Sequence, residues 1–288
     1  MEPIVVAGTA SQALAGRLAD LLDAPLADTD IRRFPDLEVY ARIKSDVEGK
    51  HVILVQTTAP NENLIELLLL QDAAQGHHAA KVTSVIPYYG YARQDQVFHP
   101  GEAVSSRAVA RALATTADSV VTIDPHKEHI LDFFFDGAHS VSAVPQLADE
   151  LGRWGVDCIL APDKGARDRA EGAAKQLGVA FDHLEKTRLS ATDVRMEAKD
   201  LDVAGKRVAI VDDMIASGGT MITAAKQLKQ QGAKVVYAAC THGLFTGDAV
   251  PKLLAGGIDR VLCTDTVQAS GCDVISAAPA VAALLGNA

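Results

Sequence analysis

The 288-residue chain predicts an α/β fold of two similar domains, each a mainly parallel sheet flanked by helices, related by internal duplication. Three observations carry this. Strand-like β-branched runs alternate with helical segments over almost the whole length, as in parallel sheets covered by helices on both faces. The chain contains a faint copy of itself. Gly49-Lys50-His51-Val52-Ile53-Leu54-Val55 returns 156 residues later as Gly205-Lys206-Arg207-Val208-Ala209-Ile210-Val211, and each copy leads through a helix to a Lys-Val strand start, Lys81-Val82 or Lys234-Val235. The length also suits two cores of ordinary size. The boundary is expected at 142–145, giving domains 1–143 and 144–288.

In the first domain, strand 4–7 leads to helix 11–22, strand 52–56 to helix 63–75, and strand 82–87 to helix 105–115. Strand 120–123 closes the set. In the second, helix 146–154 precedes strand 158–161 and helix 168–177. Strands 208–211, 235–240 and 261–264 follow, with helices between. The tail 278–285 reads as a short apolar helix that needs a surface to cover, and the first domain is the candidate.

Composition sets limits. The chain is 48% hydrophobic and 22% charged, with a net charge of −10, so nothing suggests a nucleic-acid groove, and anions must be held by local basic residues. No apolar run approaches the ~18 residues of a membrane span; 64–70 is interrupted by Glu66. The N-terminus lacks a signal-peptide pattern. Cys158, Cys240, Cys263 and Cys272 have no metal spacing and read as buried, reduced thiols of a cytoplasmic protein.

The chemistry centres on 208–220. Four apolar residues run into Asp212-Asp213, and Met214-Ile215-Ala216 leads to Ser217-Gly218-Gly219-Thr220 at the start of a helix over 221–231. A helix start offers unpaired N–H groups and a partial positive charge, which suits a phosphate. The glycines allow close approach, and Ser217 and Thr220 add hydroxyl donors. Two carboxylates would repel that phosphate but suit sugar hydroxyls or a cation beside it. Pentose phosphate therefore fits better than nucleotide phosphate alone.

Other segments add candidates. Arg33-Phe34-Pro35-Asp36-Leu37-Glu38 precedes strand 39–43 and offers a ring and two carboxylates to a base. Pro87-Tyr88-Tyr89-Gly90-Tyr91-Ala92-Arg93-Gln94-Asp95 follows a strand end, where open α/β sheets bind ligands. Arg93 suits a phosphate and Gln94 a sugar or base. Asp124-Pro125-His126 and Pro162-Asp163-Lys164-Gly165 occupy strand ends in different domains, so His126 and Asp163 suit a Mg²⁺–nucleotide. Lys186 and Arg188 alternate before the polar stretch 190–200, which reads as a mobile flap. Two cations on a flap suit neutralisation of a transferring phosphoryl group.

Taken together with Asn61-Glu62-Asn63-Leu64-Ile65-Glu66-Leu67-Leu68, these segments resemble the ribose-phosphate pyrophosphokinase (PRPP synthase) family over nearly the whole chain, in its compact archaeal-like form. Stretch 208–220 itself resembles the PRPP motif of the phosphoribosyltransferase fold. The resemblance implies two phosphoribosyltransferase-type domains, with the ribose 5-phosphate site only in the second. It implies Mg²⁺-dependent transfer of the diphosphoryl group of ATP to the C1 hydroxyl of ribose 5-phosphate, giving PRPP and AMP. Lys186 and Arg188 would be catalytic. Arg188, Asp212, Asp213, Ala216, Ser217, Gly218, Gly219 and Thr220 would hold ribose 5-phosphate. Phe34, Asp36, Leu37, Glu38, Arg93, Gln94 and Asp95 would bind ATP, with Phe34, Asp36 and Glu38 reaching a neighbouring subunit's adenine, so that the homodimer is the minimal active unit. His126 and Asp163 would be the Mg²⁺ positions.

Three departures stand out. Ala216 replaces the usual acidic opening of the phosphate loop. Leu37 stands where glycine is common, which implies a differently shaped adenine loop. Gln96-Val97-Phe98-His99 lacks the basic cluster of many bacterial relatives, which implies weak or absent allosteric inhibition by ADP. A base phosphoribosyltransferase would share the PRPP motif but leave the duplication and 88–95 unexplained. A silent regulatory subunit would have lost residues such as Lys186, Arg188, Asp212 or Asp213.

Overall fold

A computed structural model describes residues 1–134, 137–188, 194–198 and 201–286, with main chain only at 185–188 and 194–198. The chain divides into two compact units, Met1–Ser142 with Ser276–Ala288, and Ala143–Ile275.

The first unit is built on five strands: β1 (Pro3–Ala7), β4 (His51–Val55), β5 (Lys81–Ile86), β6 (Ser119–Ile123) and β7 (Ala138–Val141), adjacent in that order. All are parallel. Their near-continuous apolar runs fit burial on both faces. Val52 and Leu54 pack with Leu67 and Leu70 of helix α2 (Asn61–Gly76). Helices α1 (Gln12–Leu21) and α3 (Ser105–Leu113) and a 3₁₀ turn at Glu128–Phe133 complete the layers. Strands β2 (Thr29–Arg33) and β3 (Val39–Ile43) form a separate antiparallel hairpin. The tail forms helix α8 (Ala278–Leu285) and packs on α1. The sequence reading ran the second domain to 288; the contacts put Ser276–Ala288 with the first unit, because the apolar face of α8 lies against α1.

In the second unit the order is β10 (Val194–Ala198), β9 (Ala180–Arg188), β8 (Cys158–Ala161), β11 (Arg207–Ile215), β12 (Val235–Gly243), β13 (Arg260–Thr264), β14 (Asp273–Ile275). Only the β9–β10 pair is antiparallel. Side chains on alternate positions feed two cores. Val208 and Ile210 pack with Met221, Ala225 and Leu228 of helix α6 (Gly219–Gln230). Ala209 and Val211 pack with Leu147 and Leu151 of helix α4 (Val144–Arg153) and Ala170 and Ala173 of helix α5 (Arg167–Leu177). Helix α7 (Ala249–Ala255) follows β12. The order β1-β4-β5-β6-β7 thus recurs as β8-β11-β12-β13-β14, with a hairpin inserted at the same place in each.

Several expectations change. Strand 120–123 does not close its set, because β7 adds a parallel edge strand. β11 runs through Asp212 and Asp213 to Ile215, so the acidic pair lies within a strand rather than at its tip; the ladder to β12 continues at Met214 and Ile215. Of the expected flap 190–200, the part outside 194–198 lies outside the described residues. Val194–Ala198 itself is a strand antiparallel to Leu184–Arg188.

Candidate functional site

In the second unit the chain leaves β8 through α5 towards β9 and leaves β11 through α6 towards β12. The carboxyl ends of β8 and β11 therefore flank the point where strand order reverses, where open α/β sheets hold ligands. The β8 end carries Asp163. Its Oδ1 accepts the N–H groups of Gly165 at 2.8 Å and Ala166 at 3.2 Å, so the exposed carboxylate also shapes the entry to α5.

The β11 end carries the acidic pair. Strand alternation sends neighbouring side chains to opposite faces of the sheet. Asp213 is buried and Asp212 half-buried. Each carboxylate accepts the next N–H in the chain: Asp212 from Asp213 at 2.8 Å, and Asp213 from Met214 at 2.9 Å. Burial, with the charge of Asp213 next and Asp163 adding to it, pushes the Asp212 carboxyl up to about 8. Three carboxyl groups thus lie within electrostatic reach, a field that a cation or a set of sugar hydroxyls would relieve.

The loop beyond is an open cradle. Gly218 caps α6 at φ +77°, and a Cβ there would lie 2.9 Å from Leu253 Cδ2, so glycine is required. Among the described residues no side chain caps α6. Gly219 and Thr220 are its first residues, and with Ser217 they are exposed. Half-buried Ala216 lacks an acidic side chain, yet its carbonyl accepts from Thr246 N–H at 3.1 Å, and the Ile215 carbonyl accepts from Leu244 and Phe245, each at 3.0 Å. The segment after β12 thus anchors the cradle by main-chain bonds. The main chain places Lys186 and Arg188 on β9, opposite Met196 and Val194.

The first unit holds the remaining candidates. Phe34, Asp36, Leu37 and Glu38 form the exposed tip of the β2–β3 hairpin. Phe34 N–H donates to the Glu38 carbonyl at 2.8 Å, and the Phe34 ring meets Tyr40 edge-on at 6.1 Å. Leu37 has φ +73°, so this leucine takes the left-handed conformation natural to glycine. An open recess of about 460 Å³ runs from Asp36, Leu37 and Glu38 to Glu62 and Ile65 of α2.

Arg93 is exposed, and Gln94 and Asp95 are half-buried. The Gln94 amide donates to the Gln96 carbonyl at 3.0 Å, so in this arrangement it holds its own loop. Asp95 Oδ2 lies 3.2 Å from His129 Nε2, a contact the sequence reading did not foresee, because His129 sits on the 3₁₀ turn after β6. His126 is half-buried just beyond β6.

Sequence reasoning also undervalued Glu66. It is buried in α2, where its carboxylate accepts from Thr9 N–H and Thr9 Oγ1, both at 2.7 Å, and from Gln56 Nε2 at 2.8 Å. The signal was present, since a carboxylate inside an apolar helix must be exposed or paired.

Comparison with known proteins now decides the family. The chain is 43% identical, over an alignment of 292 positions, to the ribose-phosphate pyrophosphokinase of Methanopyrus kandleri, covering 99% of both chains. The chain belongs to the ribose-phosphate pyrophosphokinase family. Similarity to the ribose-phosphate pyrophosphokinase of Methanothermobacter thermautotrophicus is 40% over 97% of this chain and 98% of that one. The family profile for the N-terminal domain of ribose phosphate pyrophosphokinase matches 3–116, and that for the phosphoribosyl transferase domain matches 142–253. The crystal structure of phosphoribosylpyrophosphate synthetase from Mycobacterium smegmatis superposes with a TM-score of 0.86 at 32% identity, covering 100% of both chains. The expected family, its archaeal-like form, the two-domain α/β fold and the enzyme assignment stand on these findings.

Proposed function

We propose that this chain transfers the diphosphoryl group of ATP to the C1 hydroxyl of ribose 5-phosphate, yielding PRPP and AMP. The observation that carries this is the last part of β11: a largely buried acidic pair leading into a glycine-rich helix start that, among the described residues, no side chain caps, in a chain similar end to end to named ribose-phosphate pyrophosphokinases. The cradle 216–220 takes the 5-phosphate on N–H groups and hydroxyls, and Asp212 and Asp213 take the ribose hydroxyls. Held there, the anomeric hydroxyl attacks the β-phosphorus, and AMP leaves with the bridging oxygen. Positioning and charge neutralisation suffice, without a covalent nucleophile. Lys186 and Arg188 are proposed to neutralise the transferring group. Phe34, Asp36, Leu37, Glu38, Arg93, Gln94 and Asp95 are proposed for ATP, the hairpin residues acting on a second copy in a homo-oligomer.

Mg²⁺ fits the donor chemistry. It takes oxygen ligands, and one or two carboxylates with substrate phosphates suffice. Among the described residues no group of three or more His, Cys, Asp or Glu makes a metal cage. The Asp163 and Asp212 carboxylates supply oxygen, and the raised Asp212 carboxyl marks a place where positive charge is welcome. Asp163 is therefore the proposed Mg²⁺ position of the second unit and His126 that of the first, with nitrogen the weaker donor. When bound, the ion offsets phosphate charge. A cytoplasmic location is proposed with this chemistry; among the described residues no helix is long and apolar enough to cross a membrane.

The test is AMP formation from ATP and Mg²⁺ with and without ribose 5-phosphate, in wild type and Lys186→Ala. Sugar-dependent AMP that falls by orders of magnitude in the variant is expected. A folded wild type that binds ribose 5-phosphate and yields no AMP would overturn the reading. The same initial rates are expected to show weak or absent non-competitive inhibition by ADP.

A further inference from the structure

Four cysteines are scattered along the chain, yet the fold brings two of them into contact. The sulfurs of Cys263 and Cys272 lie 3.7 Å apart. Cys263 is fully buried on β13, flanked by Cys240 of β12 and Val274 of β14. Cys272 ends the connection from β13 to β14 and is half-buried, so the reading of all four thiols as buried does not hold for it. Gly271, at φ +75°, turns the chain immediately before it.

We propose that Cys263 and Cys272 form an oxidation site that closes to an intrachain disulfide when the protein meets a peroxide. The geometry has the two parts such a site needs, a thiol open to solvent and a resolving thiol already touching it. Closure to a bond of about 2 Å requires the sulfurs to approach by less than ~2 Å, within reach of side-chain rotation and a small shift of a surface connection. The hydrogen bond from Cys263 holds the Cys272 thiol below its ordinary value, which favours Cys272 as the attacking sulfur. Cys158 and Cys240 are buried, and burial pushes both their thiols up, to about 11 for Cys158, which leaves them unreactive.

The chemistry balances with hydrogen peroxide as the oxidant. The Cys272 thiolate attacks one peroxide oxygen, the O–O bond breaks, and the sulfur becomes a sulfenic acid as hydroxide leaves. Cys263 then attacks the Cys272 sulfur, the S–O bond breaks, and the S–S bond forms. In sum, two thiols and one hydrogen peroxide give one disulfide and two waters. The link fastens the 265–272 connection across the edge of the sheet, where Gln268 and Ser270 line an open recess of about 540 Å³.

The test uses the full chain, reduced and then exposed to a small excess of hydrogen peroxide. Wild type is expected to fall from four titratable thiols to two after denaturation, to lose about 2 Da in intact mass, and to yield a peptide linking Cys263 to Cys272. A thiol reductant restores all four. Cys272→Ser and Cys263→Ser, each first shown to melt cooperatively, are expected to lose no mass. Four thiols retained by wild type, oxygen added at Cys272 without a cross-link, or a linked pair that includes Cys240 would each overturn the proposal.

Discussion

The carboxyl ends of β4 and β11 occupy the same place in two sheets of the same strand order, yet they are finished in opposite ways. At the β4 end, Gln56 and Thr57 stand where Asp212 and Asp213 stand in the second unit. Gln56 Oε1 accepts from Ala10 N–H at 3.2 Å, Gln56 Nε2 donates to Glu66, and Thr57 N–H donates to Ser11 Oγ at 3.0 Å. Thr57 Oγ1 donates to the Tyr88 carbonyl at 2.9 Å, and Thr58 Oγ1 accepts from Gly90 N–H at 2.7 Å. The loops after β1, β4 and β5 are stitched to one another, and a Cβ on Gly8 would collide with Gln56. At the β11 end Asp212 accepts from Asp213 N–H and Asp213 from Met214 N–H, and Ser217, Gly219 and Thr220 beyond them are exposed. One copy uses its strand end to hold itself together. The other gathers carboxylates there ahead of an exposed helix start, the place proposed for ribose 5-phosphate, at a cost in stability.

The largest effect expected from testing this contrast is at Glu66. Glu66→Ala leaves the buried Gln56 amide without its acceptor and removes both bonds from exposed Thr9, and should cost roughly 2–3 kcal/mol in denaturant unfolding. Ribose 5-phosphate affinity should stay within about threefold of wild type, since the seal and the cradle are different structures. A loss below about 1 kcal/mol would break the comparison from the side of the first unit.

The next effect is the pH slope of Asp212. With its carboxyl raised from 3.8 to about 8 in the fold, the native state keeps a proton that the unfolded chain has released. Stability therefore falls as pH rises from about 4 to about 8, by up to ~1.4 kcal/mol per pH unit from this group, and levels off above. Asp212→Asn should flatten that slope, raise the melting temperature at pH 8, and abolish turnover. Equal slopes in the two proteins would show that the strand end carries no such charge cost.

The smallest effect belongs to the hairpin. Leu37→Gly relieves a left-handed leucine but adds freedom to the unfolded chain, so a gain of no more than about 1 kcal/mol is expected. A clear loss of stability would mean that the Leu37 side chain earns its place in the recess it lines.

Much of this contrast was legible in the sequence. The repeated Gly-Lys-x-Val run located both strands, and Ser217 to Thr220 against Asn61 to Leu64 located the difference between the copies. What stayed hidden depends on pairing. β2 carries Thr29-Asp30-Ile31-Arg32-Arg33, too polar to read as a strand until β3 supplies its partner. β7 and β14 are edge strands of four and three residues, too short for periodicity. Two aspartates argue against a strand by propensity, and the β12 ladder overrides them. Glu66 reads as an interruption of an apolar helix until Thr9 and Gln56 come within reach. The Cys263–Cys272 contact needs the turn at Gly271, which spacing alone does not reveal.

The most direct measurement of the central claim is calorimetric titration of ribose 5-phosphate into wild type and Gly218→Val. A side chain at 218 meets both the left-handed backbone and Leu253, so the cradle is displaced while Gln56, Glu66 and the first unit are untouched. The account predicts one site per chain in wild type and at least about 100-fold weaker binding in the variant. Two sites per chain, or unchanged affinity in a folded Gly218→Val protein, would contradict it.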